Sequence, residues 1–134
     1  MVKIMVVDDF KPWREFVPSI WKKRADFNLV GVAENGSEAI ARCQEFDPDI
    51  VLLDLGMPDL DGMEVLQVLR TKSSARVIIV SNESASDIVE EALRLGAAGY
   101  VLKTDAGRDL LPAIDRALKG EKFTSSGLTR GLRS

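Results

Sequence analysis

Four short apolar runs in this chain end on residues able to do chemistry. Asp8 and Asp9 follow Lys3–Val7, Asp54 follows Ile50–Leu53, Ser81 follows Val77–Val80, and Lys103 follows Gly99–Leu102. Three carboxylates brought together repel one another and lose hydration, and a bound cation offsets both costs. With no histidine in the chain and Cys43 its lone thiol, oxygen ligation favours a hard octahedral ion, Mg²⁺ or Mn²⁺. Lys103 adds a positive charge beside Asp54, and Ser81 adds a hydroxyl. A carboxylate flanked in this way can attack phosphorus, while its neighbours hold three phosphoryl oxygens. The chemistry expected is an aspartyl phosphate on Asp54. Singly, an Asp after a strand is most often a helix cap, and a lysine there is usually solvated. The signal is the coincidence of all five at one edge.

That coincidence depends on the elements between them. Five runs rich in β-branched and aliphatic residues, the four above and Leu29–Ala33, alternate with segments of helical period. Helices are expected over Pro12–Lys23, after Asn35-Gly36-Ser37 (Ala39, Ile40, Cys43 and Phe46 on one face), and from Asp61-Gly62 onward. Two more are expected over Ser84–Leu95 and Asp105–Lys119. Pro18 should kink the first of these. Continuous apolar strands imply burial on both faces, hence a parallel sheet with helices on each side. The pattern predicts an α/β fold, a flavodoxin-like (βα)5 doubly wound sandwich with strand order 2-1-3-4-5. Strands one, three, four and five are then neighbours, and their carboxyl ends bring the polar residues together.

Composition removes other classes. Without histidine there is no Ser-His-Asp triad, Cys-His dyad or His-ligated zinc or haem. A single cysteine forms no internal disulfide and fits a reducing compartment, so a cytoplasmic location is expected. The apolar runs are too short to span a bilayer, and the amino terminus has no cleavable-signal pattern. A net charge of −3 speaks against a nucleic-acid footprint over the whole chain. The tail beyond Gly120 is mildly basic, with Lys122, Arg130 and Arg133 against Glu121.

Four motifs carry a family resemblance over about residues 1–120. They are Val6-Val7-Asp8-Asp9, the stretch from Asp54-Leu55-Gly56-Met57-Pro58 through Asp61-Gly62-Met63-Glu64, Ile79-Val80-Ser81, and Gly96-Ala97-Ala98-Gly99-Tyr100-Val101-Leu102-Lys103-Thr104. The chain resembles the receiver domain of two-component response regulators, and its last motif looks like the NarL/FixJ type. The resemblance implies that a histidine kinase phosphorylates Asp54. It implies Mg²⁺ held by Asp9, Asp54 and the Gly56 backbone carbonyl, with Asp8 acting through water. It further implies that Ser81 and Lys103 contact the phosphoryl group and that Tyr100 is an aromatic switch. The change would be relayed to the face of helix four, strand five and helix five, the expected surface of a homodimer. Gly56 and Glu83, two past the acceptor and two past the switch hydroxyl, would flank the attacking water. Asn82 stands where the family has Ala or Gly, Gly56 is smaller than usual, and Thr104 replaces a frequent proline.

The expected organisation is a receiver over residues 1–121 and a linker or disordered tail over residues 122–134. The expected role is a Mg²⁺-dependent switch, not an enzyme beyond self-phosphorylation from small donors and autodephosphorylation. It would control transcription through a DNA-binding output domain absent from this chain, its only route to DNA, with a stand-alone receiver acting through protein contacts as the alternative. A haloacid-dehalogenase-type phosphatase would need Asp-x-Asp after strand one and a cap. An FMN-binding flavodoxin would need a Ser/Thr/Gly phosphate loop where Asp8-Asp9 stands.

Overall fold

The computed structural model describes residues 1–125 and 128. Strands β1 (Val2–Val7), β2 (Phe27–Ala33), β3 (Ile50–Leu53), β4 (Arg76–Ser81) and β5 (Gly99–Leu102) alternate with helices α1 (Lys11–Phe16), α2 (Gly36–Phe46), α3 (Gly62–Lys72), α4 (Ser86–Arg94) and α5 (Ala106–Leu118). A two-residue strand, β6 (Phe123–Thr124), completes a sheet of order β2-β1-β3-β4-β5-β6, and every pairing is parallel. The central order is the expected one. The sixth strand is an addition to it.

Sheet burial follows the sequence pattern. All four residues of β3 are buried, as are the last four of β1 and the last five of β4. One core layer (Met5, Val7, Leu53, Leu66, Ile79 and Tyr100 among its members) lies under α2, α3 and α4. The other (Ile4, Val6, Leu52, Ile78, Val101 and Ile114 among them) lies under α1 and α5. Helix entries are capped where short polar side chains allow it. Asn35 Oδ1 accepts from Glu38 N at 2.8 Å and Asp61 Oδ1 from Glu64 N at 3.0 Å, each satisfying an amide with no helical partner.

The first helix departs from expectation. Instead of one kinked helix over Pro12–Lys23, α1 ends at Phe16 and a 3₁₀ segment continues over Val17–Trp21. Pro18 lacks the amide that another α-helical bond needs, and its ring crowds the preceding turn, so the chain tightens. The tail departs as well. Where the sequence suggested a linker or disordered segment, Phe123 and Thr124 pair with Gly99 and Tyr100 of β5, and Ser125 and Leu128 are buried. Ser125 N donates to Tyr100 O at 3.1 Å, and Leu102 N donates to Ser125 Oγ at 3.2 Å. These bonds satisfy backbone groups that β5 would otherwise leave unpaired at an open edge. The rest of the expected tail lies outside the described residues. No helix among the described residues is long and apolar enough to cross a membrane.

Candidate functional site

At the carboxyl edge of the sheet, β1 and β3 end side by side. Asp8 N donates to Ala33 O and Asp54 N to Val7 O, both at 3.0 Å, so the ladder runs to the two acids themselves. One carboxylate oxygen from each of Asp8, Asp9 and Asp54 lies within 4.8 Å of the others. Asp8 is 1% exposed and Asp54 9%, whereas Asp9 faces solvent. Asp8 Oδ1 accepts from Phe10 N at 2.8 Å.

Lys103, immediately past β5, reaches across to both buried acids. Its Nζ stands 2.6 Å from Asp8 Oδ2 and 3.8 Å from Asp54 Oδ2. The closer contact is an ion pair outside hydrogen-bond geometry, so Asp8 Oδ2 has a charge partner but no donor aimed at it. Asp54 is held above its ordinary carboxylate range, first by burial and then by the charges of Asp8 and Asp9. Lys103 and the Leu55 amide act in the opposite direction. Three acids facing one ammonium, with a buried oxygen lacking a donor and no nitrogen or sulfur ligand nearby, are a donor set that fits a hard divalent cation.

A cavity of about 440 Å³ opens beside Asp54, lined by Gly56, Asp61, Met63, Ser81, Glu83 and Lys103 among others. Ser81 is buried at its floor, its Oγ accepting from Glu83 N at 3.1 Å. Tyr100 lies behind Ser81 with no exposed surface. Its hydroxyl donates to Glu83 O at 2.7 Å. Burial pushes the phenol up to about 12, against a smaller opposing effect of the neighbouring Ser81 side chain. Glu83 turns back to accept from Ala85 N at 3.0 Å, ahead of α4.

The structure thus brings together Asp8, Asp9, Asp54 and Lys103, sets Ser81 and Gly56 on the adjoining cavity, and puts Tyr100 one layer behind. Two further residues with little signal in the sequence, Arg14 and Asp59, brace the site. Arg14 Nη1 donates to the Asp8 carbonyl at 2.8 Å, holding the β1–α1 loop from below. Its only sequence signal is a basic residue one helical turn past Phe10 in an amphipathic segment. Asp59 accepts from Gly36 N at 2.7 Å, Ser37 N at 3.1 Å and Leu60 N at 2.6 Å, tying the loop after β3 to the start of α2. The Ser37 side chain first, and then these amides with Leu60 foremost, hold its carboxyl well below the usual range.

Residues 4–115 match the family described as response regulator receiver domain. The chain is 39% identical over 127 residues to the nitrate/nitrite response regulator protein NarL of Escherichia coli, covering 94% of this chain and 59% of that protein. It is 30% identical over 133 residues to the transcriptional regulatory protein YdfI of Bacillus subtilis, covering 99% of this chain and 62% of that one. The chain therefore spans about three fifths of the length of these two relatives. A crystal structure of a LuxR-family two-component response regulator from Aurantimonas superposes with a TM-score of 0.94 at 30% identity, covering 99% of this chain and 96% of that one.

Proposed function

The chain belongs to the response regulator receiver domain family of two-component systems, and from that premise we propose that Asp54 is the phosphoacceptor of a switch charged by a histidine kinase. The observation that carries this reading is the meeting of three carboxylates within 4.8 Å with one lysine ammonium, beside a cavity that also holds a buried hydroxyl.

An ionised Asp54 oxygen attacks the donor's phosphorus, and the phosphorus–nitrogen bond of a phosphohistidine breaks as the new phosphorus–oxygen bond forms. The leaving imidazole retains the electron pair and takes up a proton. Lys103 compensates charge on the phosphoryl oxygens, and Ser81 turns its hydroxyl toward one of them. Because Ser81 Oγ and the Tyr100 hydroxyl both bind the Glu83 backbone, one at its amide and the other at its carbonyl, that turn alters the support of a buried ring at the α4–β5 contact. Asp9, Asp54 and the Gly56 carbonyl, with Asp8 behind them, would hold a Mg²⁺, which when bound would supply Lewis-acid neutralisation of the donor's charge. The output we infer is transcriptional, supported by the likeness to NarL, to YdfI and to a LuxR-family regulator, with a homodimer through the α4–β5–α5 face as its physical form.

Incubation with acetyl phosphate and Mg²⁺ tests the central claim: intact-mass analysis should show one phosphoryl group per chain, and none without the metal. Two variants refine it. Asp9→Ala removes a donor from the outer side of the cluster, so Mg²⁺ affinity by fluorescence titration should fall by at least the roughly tenfold that loss of an outer-shell partner costs. An undiminished affinity would remove Asp9 from the ligand set. At Gly56 an added Cβ would meet nothing within 4 Å, so a larger side chain is accommodated and can cover the acceptor from solvent. Gly56→Met should lengthen the phosphoryl half-life several-fold by excluding water from the in-line position. Equal or faster decay at the same Mg²⁺ concentration would show that access at this position does not set the rate.

A further inference from the structure

Lys103 touches a third group besides the two carboxylates. Its Nζ lies 5.2 Å from the centroid of the Trp13 ring, on the face of the indole, and its side chain is only 14% exposed. An ammonium is strongly hydrated, and one drawn this far out of water needs compensation on every side. Asp8 and Asp54 supply it on one side. The electron-rich face of Trp13 supplies it on another, through the attraction of a cation to a ring quadrupole.

We propose that Trp13 is a positioning residue for Lys103: its indole face holds the ammonium on the Asp8 side of the pocket, nearer Asp8 than the nucleophile Asp54. The distances express this bias, 2.6 Å to Asp8 Oδ2 against 3.8 Å to Asp54 Oδ2. The position keeps Asp54 from being tied up in a close ion pair, yet leaves the ammonium within reach of an incoming phosphoryl oxygen. The platform for the ring is itself anchored to the site. Trp13 N and Arg14 N donate to Phe10 O at 3.1 and 3.2 Å, just past the acidic pair. Arg14 Nη1 binds the Asp8 carbonyl at 2.8 Å, and the Phe16 ring backs Trp13 at 5.8 Å between centroids. Helix α1 buries none of its residues fully, yet it is fastened to the pocket through Arg14 and Trp13.

The kinetic consequence rests on Asp54 being the acceptor, but the contact itself is testable without it. Proton NMR of the full chain should show the Lys103 ε-methylene resonances, assigned by their loss in Lys103→Arg, shifted upfield by the indole ring current. Trp13→Phe should keep a shift of the same sign, and Trp13→Leu should abolish it. Labelling by acetyl phosphate at saturating Mg²⁺ should slow on the order of 2- to 5-fold in Trp13→Leu, with most of the rate recovered in Trp13→Phe. A purely packing role is separated by a double-mutant cycle on unfolding equilibria between Trp13→Leu and Lys103→Met, where a coupling of about 2- to 5-fold is expected and additivity would overturn the proposal. Should Trp13→Leu fail to fold, Trp13→Met enters the same three measurements. Lys103 resonances indifferent to residue 13 also overturn it. A parent protein that takes no phosphoryl group would refute the acceptor reading instead, while the NMR shift and the cycle still decide the role of Trp13.

Discussion

Asp54→Asn should abolish labelling by acetyl phosphate and at the same time make the metal-free protein more stable. The substitution keeps the size and shape of the side chain but removes the nucleophilic carboxylate, so phosphoryl incorporation should fall to background. Retained Mg²⁺-dependent labelling in this variant would sink the assignment. The stability change follows from the cluster's electrostatics. The native carboxyl of Asp54 is raised from its ordinary value of 3.8, chiefly by burial and by Asp8 and Asp9 over the opposing Lys103. The folded state therefore binds a proton where the unfolded chain has released it. The stability associated with that proton is fully present below 3.8 and is lost as pH rises through the raised native value. Above that raised value the ionised group is a net cost to the fold, which asparagine removes. Thermal melts without metal should show the gap between variant and parent widening with pH across this window and levelling off above it. Added Mg²⁺ should reverse the order, because it stabilises the parent by mass action more than a variant with one ligand fewer.

Gly62→Ala should be the most damaging single-methyl change near the pocket. A Cβ at this position would stand 2.4 Å from the Leu55 Cα and 2.7 Å from the Asp54 carbonyl oxygen. Both are backbone atoms of the acceptor strand's exit, so neither can swing aside as a side chain would. Gly62 N also donates to Leu55 O at 2.8 Å, which holds the first turn of α3 against that exit. Overpacking typically costs ~1–3 kcal/mol, and the upper end is expected here. The displacement falls on Asp54 itself, so labelling should drop along with stability in denaturant titrations. Gly107→Ala is the control: its Cβ would meet nothing within 4 Å, and in the first turn of α5 alanine should stabilise by up to ~1 kcal/mol. Equal effects at the two glycines would show that backbone crowding is not what constrains position 62.

Much of this architecture could be read from local patterns. The unbroken apolar runs of β1, β3 and β4 announce burial on both faces, which only a parallel sheet between helix layers supplies. Asn35 and Asp61 announce helix starts because a short acceptor side chain can satisfy an amide three residues on. Where local chemistry conflicted with pattern, the expectation slipped. The apolar spacing after Pro12 continues past Pro18, but the missing amide turns that stretch into a 3₁₀ segment. Phe123 to Ser134 looks like linker because Ser, Thr, Gly and Arg dominate its composition. The pairing of Phe123, Thr124 and Ser125 comes from β5, whose edge offers Tyr100 O and Leu102 N to be paired.

What the sequence determined by itself was the set of chemical types at the strand ends and the topology that gathers them: acids after β1 and β3, a hydroxyl after β4, an ammonium after β5. Strand burial, helix caps and right-handed crossovers are short-range or general consequences of residue type, so they can be derived without coordinates. The tertiary structure alone decided how those groups share the pocket. It sets Lys103 closer to Asp8 than to Asp54, lays its ammonium against Trp13, sends the Tyr100 hydroxyl to the Glu83 carbonyl, and fastens α1 to the site through Arg14. Each of those contacts joins side chains or backbone from different elements at distances of a few ångströms. Such distances depend on how every layer packs, and residue order along the chain carries no record of them.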